Sequence, residues 1–234
     1  MIALIQSRSA STSFTNSSSP QSQSLDWILS DPFSSGGLSD DRLVQRFALA
    51  TLYYSTNGTY WDHDGWLNST NECDWDSQDF NSCSQESAVQ RLFLGSDSLS
   101  GRIPIEIGLL THLTSLWIDI NDLTGSLPSE LGLLNQLVQL VPWNNKLTGS
   151  IPSELGLLTH LKELHLARNL LTGSIPSELG RLTHLTTLFA LWGNDLTGSM
   201  PSSLCSAGVS PHINCGEFAC TCCLDENGGS CPPS

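Results

Sequence analysis

Basic residues are scarce in this sequence. Nine Lys and Arg stand against 23 Asp and Glu, for a formal charge of −14. A surface of that sign repels phosphate backbones and anionic lipid, which argues against nucleic acid as a partner. Long apolar runs are absent too, and nothing approaches the ~20 residues that span a bilayer. Residues 1–5 are apolar but too short for the apolar core of an export leader, so secretion or membrane attachment would depend on a segment outside this sequence. Catalytic signatures are missing: there is no nucleophile elbow, no H-E-x-x-H and no phosphate loop. The expectation is a protein without enzymatic activity and without a cofactor. Cysteine is absent from residue 89 to residue 204.

The eight cysteines lie on either side of that gap. Cys73 and Cys83 precede it; Cys205, Cys215, Cys220, Cys222, Cys223 and Cys231 follow it. An even number confined to the two ends points to disulfide-stapled caps in an oxidising compartment. Six cysteines at one end allow 15 connectivities, and spacing selects none. A zinc or thiolate cluster is the rival, but C-T-C-C at 220–223 lacks paired two-residue knuckles. Sequons at Asn16, Asn57 and Asn68 are candidate glycosylation sites and fit a secretory route. Asp62, Asp64, Glu72, Asp74, Asp76, Asp79 and Glu86 form a stretch without Lys or Arg. They read as a solvated acidic edge, since no complete calcium-loop pattern is present.

A repeat decides the architecture. Leu113, Leu137, Leu161 and Leu185 are 24 residues apart, with Val89 one step earlier. Gly101, Gly125, Gly149 and Gly173 keep that step, as do Pro104, Pro128, Pro152 and Pro176. Asn121, Asn145 and Asn169 hold the ninth position. In the fifth repeat Asn194, Leu196, Gly198 and Pro201 fall one residue late. Such a period marks a solenoid, because one coil cannot bury its own apolar side and stacked coils bury it jointly. L-x-x-L-x-L supplies a short strand with its leucines inward, and the Asn amide can bond the turning backbone. Successive strands would lie about 4.8 Å apart in a parallel sheet.

The run "LTGSIPSELGLL" and its neighbours resemble the plant-type leucine-rich repeat over residues 89 to about 208. Trp61, Trp66, Cys73, Trp75 and Cys83 are similar to the cap that precedes such repeats. The whole pattern most resembles cell-surface leucine-rich-repeat proteins of diatoms and related algae. The resemblance implies a right-handed superhelical solenoid with a parallel sheet on its concave side and cysteine-stapled caps at both ends. Its plant members serve as receptor ectodomains and as inhibitors of wall-degrading enzymes. The expected organisation is a flexible linker over 1–38 and an N-terminal cap over 39–88. Five repeats would follow over 89–208, then a cysteine-rich C-terminal cap over 209–234. Within the first cap, Ser39 should start a helix whose apolar face runs to about Tyr54.

Alternation along a strand leaves position five of each repeat facing outward on the concave side. Those residues are Phe93, Trp117, Val141, His165 and Phe189; position seven is Gly95, Asp119, Trp143, Ala167 and Leu191. Aromatic side chains dominate protein hot spots, so Trp117, Trp143, Phe189 and Trp192 are expected anchors. Asp119, Glu163 and Arg168 would form a polar rim. A protein or peptide ligand is expected. Glycan binding in a wall or adhesion role, and inhibition of a secreted hydrolase, are the alternatives. The blander possibility is that the aromatics only stack on one another. His112, His160 and His184 share another repeat position and read as solvent-facing, not as a metal site. Pro142 in the third strand lacks a ladder donor and should mark a bulge or local break. The near-identical "LTGSIPSELG" loops align Thr124, Thr148, Thr172 and Thr197, a regular row that could match a repetitive lattice such as ice or a polymer.

Overall fold

Each 24-residue unit closes one coil in the computed structural model, which describes residues 1–62, 64–75, 81–85, 87–186, 188–214, 222–225 and 227–230. The cap strand β1 (Asn81–Cys83) and the repeat segments β2 (Val89–Phe93), β4 (Ser115–Trp117), β6 (Gln139–Val141), β8 (Glu163–His165) and β10 (Leu188–Ala190) form one sheet. β1 runs antiparallel to β2, and every later pair in that sheet is parallel. The leucines point inward as their spacing requires. Leu92, Leu113, Leu140, Leu164 and Leu171 are all fully buried in one continuous core. Full burial of one such side chain contributes about 1.5–3 kcal/mol. A chain of coils therefore holds together although no coil could stand alone.

Asparagine makes the turn. Asn145 accepts from the Leu123 amide at 3.0 Å and donates to the Ile118 carbonyl at 2.9 Å. Asn121 repeats the arrangement one coil before, and Asn169 and Asn194 one and two coils after. The ladder bonds only backbone groups that the turn leaves unpaired, which is why an uncharged side chain with both donor and acceptor is needed.

The L-T-G-S segments form a second parallel sheet: β3 (Ser100–Arg102), β5 (Asp122–Gly125), β7 (Lys146–Gly149), β9 (Leu170–Ser174) and β11 (Asp195–Thr197). Sequence reasoning anticipated only the concave sheet. Short 3₁₀ turns after each Pro complete the coil, as at Ser129–Leu133 and Ser153–Leu157. Pro142 follows β6 directly. In neighbouring coils Ile118 and Leu166 donate to the next coil at that position, and Pro142 has no hydrogen to donate. One ladder bond is lost without a bulge.

Cysteine staples both caps. Cys73 bonds Cys83 and Cys205 bonds Cys222; Cys223 is disulfide-bonded as well. Cys215, Cys220 and Cys231 lie outside the described residues. Trp61, Trp66 and Trp75 close the open end of the core, with the Trp61 and Trp66 rings edge-on at 4.7 Å.

Two sequence expectations fail at the N-terminus. The segment taken for a flexible linker carries α1 (Ile2–Arg8) and α2 (Pro20–Ser30), packed against α3 (Asp40–Ser55). Ile5, Ile28 and Phe47 form a small buried cluster there. The Ser-rich composition hides this because the hydroxyls are satisfied locally. Ser24 donates to the Pro20 carbonyl at 2.7 Å, and Ser19 caps α2 by accepting from the Ser22 amide. The second failure is Glu72, read as part of a solvated acidic edge. Its side chain is fully buried, where Arg42 and Arg46 donate to it at 2.7 and 2.9 Å. Arg46 also reaches Asp31 at 2.7 Å, and its guanidinium lies within about 5 Å of the Trp27, Phe33 and Trp75 rings. Burial alone would raise the Glu72 carboxyl, but hydrogen bonds from Arg42 and Gln45 outweigh it and hold the group below its ordinary range. Asp76, Asp79 and Glu86 of that stretch lie outside the described residues.

Candidate functional site: the concave sheet

The outward positions of the first sheet bring most of the expected residues onto one surface. Phe93 and Trp117 stand on adjacent strands with ring centres 5.4 Å apart, edge to face. Trp143 stacks on His165 at 5.2 Å, with 17° between planes. Arg168 lays its guanidinium over Trp192 at 5.1 Å. Val141 is on the same face but almost covered, at 5% exposure.

Phe189 is not on this surface. It pairs with Leu164 in register and is 2% exposed within the core; Ala190 takes the place opposite His165. The extra residue of the fifth repeat falls between Leu185 and Leu188, ahead of the strand. Counting from Leu185 at the common spacing therefore shifts this strand by one residue, and a shift of one exchanges its two faces. The same correction moves Leu191 inward and sets Trp192 in the column of Asp119 and Trp143.

Sequence reasoning missed a polar file beside the aromatics. The Ser115 hydroxyl donates to Gln139 at 2.9 Å, and Gln139 donates to Glu163 at 2.7 Å. The period-two alternation that selected position five also turns position three outward, so the signal was present; only Glu163 had been chosen, for its charge.

Three polar atoms on this face are shielded from water and have no hydrogen-bond partner: Trp117 Nε1, Asp119 Oδ1 and Trp143 Nε1. Phe93, Gly95, Ser96, Trp117 and Asp119 line a groove of about 390 Å³. Gly95 makes it possible. A Cβ there would stand 2.6 Å from Asp119 Oδ1, so only glycine leaves the carboxylate its place. Burial raises the Asp119 carboxyl above its ordinary value, and the charge of Glu163 adds to the effect. Burial, aided by His212, lowers His165 to about 4. His165 is therefore a neutral aromatic wall at neutral pH.

A larger hollow of about 990 Å³ lies on the side of the second sheet, walled chiefly by Ser, Pro and Gly and without an aromatic ring. Thr124, Thr148, Thr172 and Thr197 are exposed, one on each coil of that sheet, with Lys146, Leu170 and Asp195 opposite the first three. Asn16, Asn57 and Asn68 are all exposed at the surface. No helix among the described residues is long and apolar enough to cross a membrane.

The Leucine Rich Repeat family matches over residues 160–182. A solved structure of the BIR3–SERK2 complex from Arabidopsis thaliana is similar at 34% identity and a TM-score of 0.55, over 74% of this chain and 88% of that one. The chain belongs to the leucine-rich-repeat family. Another leucine-rich-repeat structure, the BIR2 ectodomain from Arabidopsis thaliana, matches at 29% identity and a TM-score of 0.64, over 77% of this chain and 96% of that one. A plant ice-binding protein matches at 29% identity and a TM-score of 0.60, over 73% of this chain but only 55% of that one. No curated protein matches this sequence.

Proposed function

We propose that this chain is an extracellular recognition module that binds a protein or peptide partner through its concave sheet. Phe93, Trp117, Trp143, His165 and Trp192 are the anchors in this reading, with Asp119, Glu163 and Arg168 at the rim. The supporting observation is the coincidence of aromatic rings with unpartnered polar atoms. Buried polar groups are normally hydrogen-bonded, and three exceptions on one face mark where a partner would supply the missing bonds. Disulfides at both ends and similarity to a plant ectodomain support the extracellular placement. One similar structure is itself a complex of two proteins, which supports a protein partner.

The test is a binding screen of the oxidised protein against extracellular proteins, peptides and wall glycans, run beside the Trp117→Ala/Trp143→Ala double variant. A protein or peptide retained by the wild type and lost from the variant supports the reading. A partner held equally by both would place recognition elsewhere, and a glycan lost from the variant would favour the adhesion role.

One observation favours a second reading. The exposed threonines recur once per coil along the second sheet, and a rigid hydroxyl array of fixed period suits a repetitive lattice. The similarity to a plant ice-binding protein points the same way. Replacing Thr148 and Thr172 by Leu would abolish ice shaping or polymer binding on that reading and leave concave recognition intact.

A further inference from the structure

We propose that the groove between Phe93, Trp117 and Asp119 seats the side chain of a lysine or arginine supplied by the partner. The inference rests on the concave recognition reading and specifies what the partner must carry. The groove offers two apolar rings set edge to face and, in its lining, the Asp119 carboxylate, whose Oδ1 has no hydrogen bond. A cation gains from both, through the ring faces and through direct charge.

Rings on this surface already take guanidinium groups from the chain itself. Arg91 lies 5.8 Å from the Phe93 ring centre and Arg168 lies 5.1 Å from that of Trp192. The fit extends to the backbone of the partner. Trp117 Nε1 and Trp143 Nε1 are donors without acceptors, and an extended peptide carries a carbonyl beside each side chain. A neutral sugar would stack on the rings but would leave the buried carboxylate without a counter-charge. The formal charge of −14 draws basic partners generally, but among the acids of the described residues only Asp119 sits in this groove, over a glycine that makes room for it.

The test needs no identified partner. The oxidised, 15N-labelled full chain is titrated with N-acetyl-arginine methylamide and N-acetyl-lysine methylamide, with the norleucine analogue and cellobiose as neutral probes, while the Trp117 indole N–H is followed by NMR. A saturable shift with arginine or lysine and none with the neutral probes is expected. Asp119→Asn should weaken the cationic probe about tenfold. Gly95→Ala should weaken it as well, because the new Cβ displaces the carboxylate while the net charge stays the same. General attraction to an acidic surface would survive both changes. No shift, an equal shift with norleucine, a shift with cellobiose alone, or unchanged binding in both variants would overturn the assignment. If that happens while Trp117→Ala/Trp143→Ala still abolishes partner capture, the recognition reading stands and only the cation is wrong.

Discussion

Asp119 is held where its charge is unfavourable in the free protein. Burial and Glu163 both raise its carboxyl, so ionisation at neutral pH opposes folding. Asp119→Asn should therefore raise Tm while weakening partner binding, and a thermal melt beside a binding isotherm checks both. Asn145 has the opposite character. Asn145→Ala would orphan the Leu123 amide and the Ile118 carbonyl together, at roughly 1–3 kcal/mol for each group. Urea unfolding should show that loss with little change in partner affinity once the protein is folded. His165 sets a third expectation. It takes a proton only near pH 4, whereas an unfolded histidine does so near about 6.5. Between those values the unfolded chain holds more protons, so stability should fall as pH drops through that window. Asp31 and Glu72, whose carboxyls are lowered, act below it. His165→Gln should flatten Tm against pH between about 6.5 and 4 and leave the steeper loss at lower pH in place.

Elements show what sequence can and cannot carry. The coils were legible because each leucine, asparagine, glycine and proline has one job and repeats it at a fixed step. The cap tryptophans and the Cys73–Cys83 staple were legible as types of residue at an end that must be closed. The strand of the fifth repeat was misread at Phe189 because periodicity locates an extra residue only to within the span between two fixed leucines, and side-chain direction reverses with each residue. Helix α1 was missed, and α2 was read as no more than a helical turn at Leu25–Leu29, because their few apolar positions gain meaning only against Phe47 on α3. The Arg46 network was invisible for a similar reason: Ser34 and Asp31 precede Arg46 by 12 and 15 residues and Glu72 follows it by 26. Arg46→Ala would leave Asp31 buried without its cation and Glu72 with Arg42 alone, and removing one partner of a buried pair costs about 3–5 kcal/mol. The cap should then loosen ahead of the repeats, seen as early amide exchange over α2 and α3.

At the scale of the molecule, two long faces compete for the functional assignment. The concave sheet is aromatic, carries unpartnered donors and an acceptor, and varies from coil to coil. The second sheet is uniform, with its Thr row, and the 3₁₀ turns beside it leave Leu133 and Leu157 about half exposed. Specificity needs variation, and regularity suits a lattice. The most direct measurement is a hydroxyl-radical footprint of the oxidised protein with and without its captured partner. Protection of Trp117, Trp143 and Trp192, with Leu133 and Leu157 still oxidised at the free rate, is the predicted result. Protection of Leu133 and Leu157 with the three tryptophans unchanged would contradict concave recognition.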